Sequence, residues 1–117
     1  MEVTIRRATS DDIDQIAKLF DDYRVFFQNI SDVSAAKEFL SHRLSNSESI
    51  IFCAYTADDR HLGFAQLYPS FSSVSLKRVW ILNDLFVHKN ARGMGIGTKL
   101  LNAIEVFSKE NQTKVIL

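Results

Sequence analysis

The sequence predicts a single domain of the α/β class, and three observations predict it. A β-rich apolar run from Val79 to Val87 leads into glycines at alternate positions, Gly93, Gly95 and Gly97. A helical stripe of Ile96, Leu100, Ala103, Ile104 and Phe107 follows, so this stretch reads strand, glycine turn, helix. Upstream, two helical patterns stand between a first strand and a hairpin. The length of 117 residues supports one hydrophobic core and not two.

Taken in order, Val3 to Arg7 alternates apolar and polar residues as a strand does, β1. Thr9 or Ser10 offers an N-cap, Asp11 and Asp12 suit the positive helix end, and Ile13, Ile16, Ala17, Phe20 and Tyr23 mark an amphipathic helix, α1, ending near Arg24. Val25 to Ile30 reads as a loop. Ser31 or Ser34 then caps α2, which carries Ala36, Phe39, Leu40 and Leu44 and is broken by residues 45–49. Residues 49–57 form β2, residues 58–61 a turn, and residues 62–68 return as β3; Pro69, with no N–H for a ladder, is expected to end it. A second turn covers residues 71–75, β4 occupies residues 79–87, α3 starts at the glycines, and Val115-Ile116-Leu117 opens β5. The order is β1-α1-α2-β2-β3-β4-α3-β5.

Composition excludes several classes. Apolar residues are 46% and charged residues 24%, values ordinary for a globular protein. Fourteen basic and fourteen acidic residues cancel, so the basic excess of a nucleic-acid partner is missing. The charges are segregated: Asp11, Asp12, Asp14, Asp21 and Asp22 crowd the first helix and suit a cationic amine. Lys89, Arg92, Lys99, Lys109 and Lys114 accompany the glycines and suit an anion; solvated helix faces are the plainer account of both sets. The single Cys53 lies inside a strand and reads as an inert buried thiol, which implies a reducing compartment. No apolar run reaches 18 residues and no signal-peptide pattern opens the chain, so a cytoplasmic location with no membrane contact is expected. No metal-ligand pattern is evident.

The glycine turn carries the chemistry. Without a Cβ, the backbone admits a ligand closely and successive amides can share one concavity. The first amides of a helix lack intrahelical partners and lie at its positive end, where phosphate oxygens fit. The dinucleotide fingerprint G-x-G-x-x-G fails here by one residue, and Thr98-Lys99 reverses the last pair of the P-loop. What fits is R-x-x-G-x-G from Arg92 to Gly97, directly after a strand ending Leu85-Phe86-Val87. With the preceding LNDLFVHKNARG, this resembles the acetyl-coenzyme A binding motif of the GCN5-related N-acetyltransferase (GNAT) superfamily; the element order matches the start of that fold along the whole chain.

The resemblance implies a mixed, mostly antiparallel sheet flanked by helices. It implies acetyl-coenzyme A (acetyl-CoA) as cosubstrate, with Leu85, Phe86 and Val87 on the pantetheine arm. Arg92, Gly93, Met94, Gly95, Ile96, Gly97 and Thr98 would hold the pyrophosphate through their amides. The acyl group then passes directly to a primary amine of a small molecule or peptide. At pH 7 a lysine-like amine with pKa ~10.4 costs about 4.6 kcal/mol to deprotonate, so a general base is expected. Where relatives carry a Leu-Glu-Asp run this chain has Leu82-Asn83-Asp84. Asn83, at the base position, takes no proton, and Asp84 inherits the role only if a bulge redirects it.

A tyrosine after β5 serves as acid in many relatives, and none of Tyr23, Tyr55 or Tyr68 corresponds; His88 is a substitute or a surface residue. Tyr23, Phe26, Phe27, Tyr68, Phe71 and Trp80 could line the acceptor cleft, with Phe27 and Trp80 singled out. The family continues past β5 with a helix and two strands. The early stop therefore reads as truncation, a natural fragment or completion by a partner, with a homodimer left open. The alternative to an enzyme is a non-catalytic acyl-CoA-binding or interaction module.

Overall fold

A computed structural model describes residues 2–117. The elements are β1 (Val3–Arg7), a 3-10 turn (Ser10–Asp12), α1 (Ile13–Phe26), α2 (Val33–Ser45), β2 (Ile50–Thr56), β3 (His61–Ser72), β4 (Lys77–Val87), a second 3-10 turn (Lys89–Ala91), α3 (Ile96–Glu110) and β5 (Lys114–Ile116). They build one mixed sheet in the order β1-β2-β3-β4-β5, antiparallel from β1 to β4, with β5 parallel to β4.

Strand alternation sorts the core into two layers. Ile51 and Cys53 of β2 and Phe64 of β3 meet Ile16, Phe20 and Leu40 of α1 and α2. On the opposite face Ile50, Phe52 and Ala54, with Ala65, Leu67 and Trp80, meet Ile96, Leu100 and Ile104 of α3. Being covered on both faces, β2 reads as an unbroken apolar run rather than an alternating one.

Four local expectations are corrected. α1 continues to Phe26, so Val25 and Phe26 are helical. The α2 N-cap is Asp32, whose side chain accepts from the Ala35 N–H at 3.0 Å, while Ser31 donates to Asp21 at 2.6 Å. β3 runs through Pro69 to Ser72, because β2 ends opposite Leu67 and leaves one side of β3 without a partner to miss the N–H. β4 begins at Lys77, before the expected Val79.

The acidic run of the first helix divides: Asp11, Asp14 and Asp22 are exposed, while Asp12 and Asp21 are buried. Thr9 caps the entry turn, and Asp12, 2% exposed, accepts from the Thr9 N–H at 2.9 Å and from Arg6 at 2.7 Å. Asp21 accepts from Ser31 and from the Asp32 N–H at 2.7 Å, and Asp14 pairs with Lys37. These carboxylates tie β1, α1 and α2 together.

Candidate active site

The site grows from the edge of β4. β5 pairs with β4 only at Val79, Trp80 and Ile81. From Leu82 to Val87, β4 has β3 on one side and, among the described residues, no strand on the other. Leu85, Phe86 and Val87 therefore present a backbone edge that a ligand can use as a missing strand would. Gly63 of β3 makes this geometry possible, since a Cβ there would stand 2.9 Å from the Phe86 carbonyl oxygen. Its role was not visible in the sequence.

The edge runs on into the glycine turn. Gly93 (φ +83°) and Gly95 (φ +76°) lie in the left-handed region, and Gly95 caps α3 without a side-chain bond. A Cβ at Gly93, Gly95 or Gly97 would meet nothing within 4 Å, so no internal packing demands glycine there. The open cradle at a helix N-terminus fits the diphosphate of the expected cosubstrate. Ile96 offers only its amide, because its side chain is in the core, whereas Met94 is 42% exposed at the rim. Arg92 donates from Nε to the Val87 carbonyl at 3.0 Å, and its guanidinium lies 5.4 Å from the Phe86 ring centre and 5.9 Å from that of Phe26. It ties the turn to β4 and α1 while keeping a positive charge at the mouth.

A β-bulge sits between this edge and the rest of β4. Asp84 is opposite Gln66 and Leu82 is opposite Leu67, so Asn83 is an extra residue. The bulge breaks alternation: Asp84 and Phe86 turn towards α1, while Leu82 and Trp80 turn towards α3. Asp84 is 6% exposed. Its Oδ2 accepts from Gln66 Nε2 at 2.8 Å and its Oδ1 from Asn83 Nδ2 at 3.1 Å. Tyr23 faces the same carboxylate, and burial first, then interaction with Asp84, push its phenol up to about 12. Tyr68 is pushed up to about 12 by burial and by the charge of Asp84. The Tyr23 ring stands among Phe27 (5.1 Å), Phe86 (5.8 Å) and Phe64 (5.9 Å). Asp84 thus lies against an aromatic wall whose outer member, Phe27, is exposed.

Trp80 is not part of that wall. It is 9% exposed and packs edge-on against Phe107 at 5.8 Å on the α3 face, opposite Pro69. The bulge at Asn83 accounts for the separation of Trp80 from Phe27. His88 accepts from the Asn90 N–H at 3.1 Å and so caps the turn after β4. Gln66 and Ser49 escaped the sequence reading, although Gln66 stood out as the one amide in the run Leu62 to Tyr68, whereas Tyr23 was named among the cleft aromatics. The larger clefts, about 820 Å³ beside Trp80 and Phe107 and about 850 Å³ between α1 and α2, lie away from the cradle, so size does not locate the site.

Asp12, Cys53 and His61 bring donor atoms within 4.8 Å of one another, in the spacing of a metal centre. Arg6 already neutralises Asp12, and burial first, then the charge of Asp12, push the Cys53 thiol up to about 12, so a cation would face a guanidinium and a protonated sulfur. The cluster is better described as a buried structural ion pair.

Residues 13–117 match the acetyltransferase (GNAT) family. The chain belongs to this family. It is 46% identical over 114 residues to the uncharacterized N-acetyltransferase YhfO of Bacillus subtilis, covering 97% of this chain and 76% of that one. Among solved structures it is similar to a probable acetyltransferase at 42% identity and TM-score 0.89, covering 97% of this chain and 77% of the other. At 17% identity it shares its fold, TM-score 0.76, with a Clostridium acetobutylicum protein described as a predicted acetyltransferase with acetyl-CoA; 99% of this chain and 80% of that one are covered. The mixed sheet with flanking helices is the GNAT arrangement expected from the element order.

Proposed function

We propose that this chain transfers an acetyl group from acetyl-CoA to a primary amine of a small molecule or peptide. The observation that carries the reading is the continuity of the unpaired β4 edge with an open glycine cradle at the α3 N-terminus. Acetyl-CoA supplies an acyl group already activated as a thioester. The backbone of Leu85, Phe86 and Val87 would hold its pantetheine arm, and the amides from Arg92 to Thr98, with Met94 at the rim, would hold its diphosphate. The chain's own task is then to position the amine and remove its proton.

Asp84 is assigned as the proton acceptor, supported by the bulge that turns it towards α1 and by the aromatic wall beside it. Asn83 orients that carboxylate through Nδ2 and takes no proton itself. Phe27 lines the amine's approach, since apolar surroundings weaken solvation of the ammonium form and lower the ~4.6 kcal/mol cost of deprotonation. A cytoplasmic setting suits the buried free thiol of Cys53; among the described residues no helix is long and apolar enough to cross a membrane.

The test is thermal unfolding with acetyl-CoA, with ATP and NAD as controls, followed by release of coenzyme A thiol in the presence of spermidine, kanamycin or an alanine-terminated tripeptide. Ligand at ~100 times its dissociation constant adds about 2.7 kcal/mol, which raises the midpoint of a domain this size by roughly ten degrees. A shift with acetyl-CoA alone and thiol release with an amine support the enzyme. A shift without turnover leaves a non-catalytic acyl-CoA binder, and no shift removes both readings.

A further inference from the structure

A glutamine at the centre of a sheet needs a reason. Gln66 is fully buried, and it bridges β2 to β4 across β3. An unpaired buried amide is destabilising, and here each end is satisfied by one specific partner. Ser49, 5% exposed at the entrance to β2, donates from Oγ to Gln66 Oε1 at 2.7 Å. That bond decides which way the amide points: with Oε1 taken, Nε2 faces Asp84 Oδ2 at 2.8 Å. Reversed, the amide would set its oxygen against a carboxylate. The remaining Asp84 oxygen receives Asn83 Nδ2 at 3.1 Å. Donors from residues 66 and 83 therefore converge on one carboxylate, and the residue that aligns the first of them comes from position 49.

We propose that Gln66, held in one orientation by Ser49, is a positioning residue for Asp84, fixing the carboxylate in the rotamer that accepts the amine proton. Core packing alone does not need this arrangement, because Gln66 shares its sheet face with Ile51 and Phe64, where an apolar side chain would also fit. The inference rests on reading Asp84 as the catalytic carboxylate.

The experiment compares Gln66→Leu, Ser49→Ala, Ser49→Thr, Asp84→Asn and the double variant Gln66→Leu/Asp84→Asn. Steady-state kinetics use acetyl-CoA and whichever of the three amines above is turned over. Losing a donor to a charged acceptor predicts about a ten-fold lower kcat for Gln66→Leu. The KM for acetyl-CoA should stay within about two-fold. Ser49→Ala should lower kcat in the same way and Ser49→Thr, which keeps the hydroxyl, should restore it. Because Gln66 acts through Asp84, the double variant should be no slower than Asp84→Asn.

A second measurement needs no turnover: the 13C-carboxyl resonance of Asp84, assigned by its loss in Asp84→Asn, should move in Ser49→Ala and return in Ser49→Thr. Multiplying effects in the double variant, or an unmoved resonance, overturn the positioning role and leave Asp84 standing as catalyst. Full kcat in Asp84→Asn overturns both.

Discussion

At the scale of single residues, Gly93, Gly95 and Gly97 look alike in the sequence and do different work. Gly93 and Gly95 hold φ values of +83° and +76°, whereas Gly97 has ordinary helical backbone and open space above it. A side chain at Gly95 is strained at about 1–3 kcal/mol, and in Gly95→Asp it also brings negative charge to the cradle. We expect Gly95→Asp to lose the thermal shift given by acetyl-CoA. Gly97→Ala separates folding from binding: the chain should gain up to about 1 kcal/mol while acetyl-CoA binding weakens. Unchanged acetyl-CoA affinity in that variant would mean that nothing approaches the turn closely at residue 97. The R-x-x-G-x-G spacing made these positions legible beforehand. Asp84 was legible only as a carboxylate of uncertain direction, because neighbouring strand residues face opposite ways and the bulge is set by the partner strand.

At the scale of elements, the junction of β1 with α1 and the bulge in β4 decide the most. Burial alone would raise the Asp12 carboxyl, but hydrogen bonds from Arg6, the Thr9 N–H and His61 hold it below its ordinary 3.8. With its folded value depressed, the stabilisation is present above the ordinary carboxylate range and is lost as pH falls through it. Asp12→Ala should cost about 3 kcal/mol near neutral pH, seen as a lower denaturation midpoint in urea, and should flatten the fall in stability on acidification. Deleting Asn83 would remove the extra residue while leaving Leu82 opposite Leu67 and Asp84 opposite Gln66, so Trp80 and Leu82 keep facing α3 and only the amide that Asn83 gives to Asp84 is lost. The deletion should therefore keep most of the parent's melting midpoint while turnover falls; a chain that fails to fold would show that packing itself needs the bulge. Pro69 gave a misleading signal for the complementary reason: its cost depends on whether a partner faces its missing N–H, and past Leu67 only β4 pairs with β3.

At the scale of the molecule, the fold buries groups that resist ionisation. Cys53, Tyr23 and Tyr68 are each pushed up to about 12, mainly by burial, from ordinary values of 9.0 for the thiol and 10.0 for the phenols. Folded chains keep protons that unfolded chains release, so the contribution is intact below about pH 9 and is lost as pH rises towards 12. The melting midpoint should fall steadily across that window, and Tyr23→Phe, which has no phenol to ionise, should fall less steeply. A slope identical to the parent's would show that Tyr23 ionises freely in the fold.

The amino-acid sequence by itself determined what short-range periodicity and spacing can encode: the order of strands and helices, the glycine turn between β4 and α3, and the family to which the chain belongs. Tertiary structure alone decided which residues meet. Ser49, Gln66, Asp84 and Tyr23 come from four separate segments and meet only when β2, β3 and β4 pair in their observed register under α1. The acidic run of α1 and the aromatic set show the same division, since residue type indicated what each could do while packing chose between solvent, core and site. Propensity and periodicity act over a few residues, whereas register, bulge placement and burial follow from contacts between segments far apart in the chain.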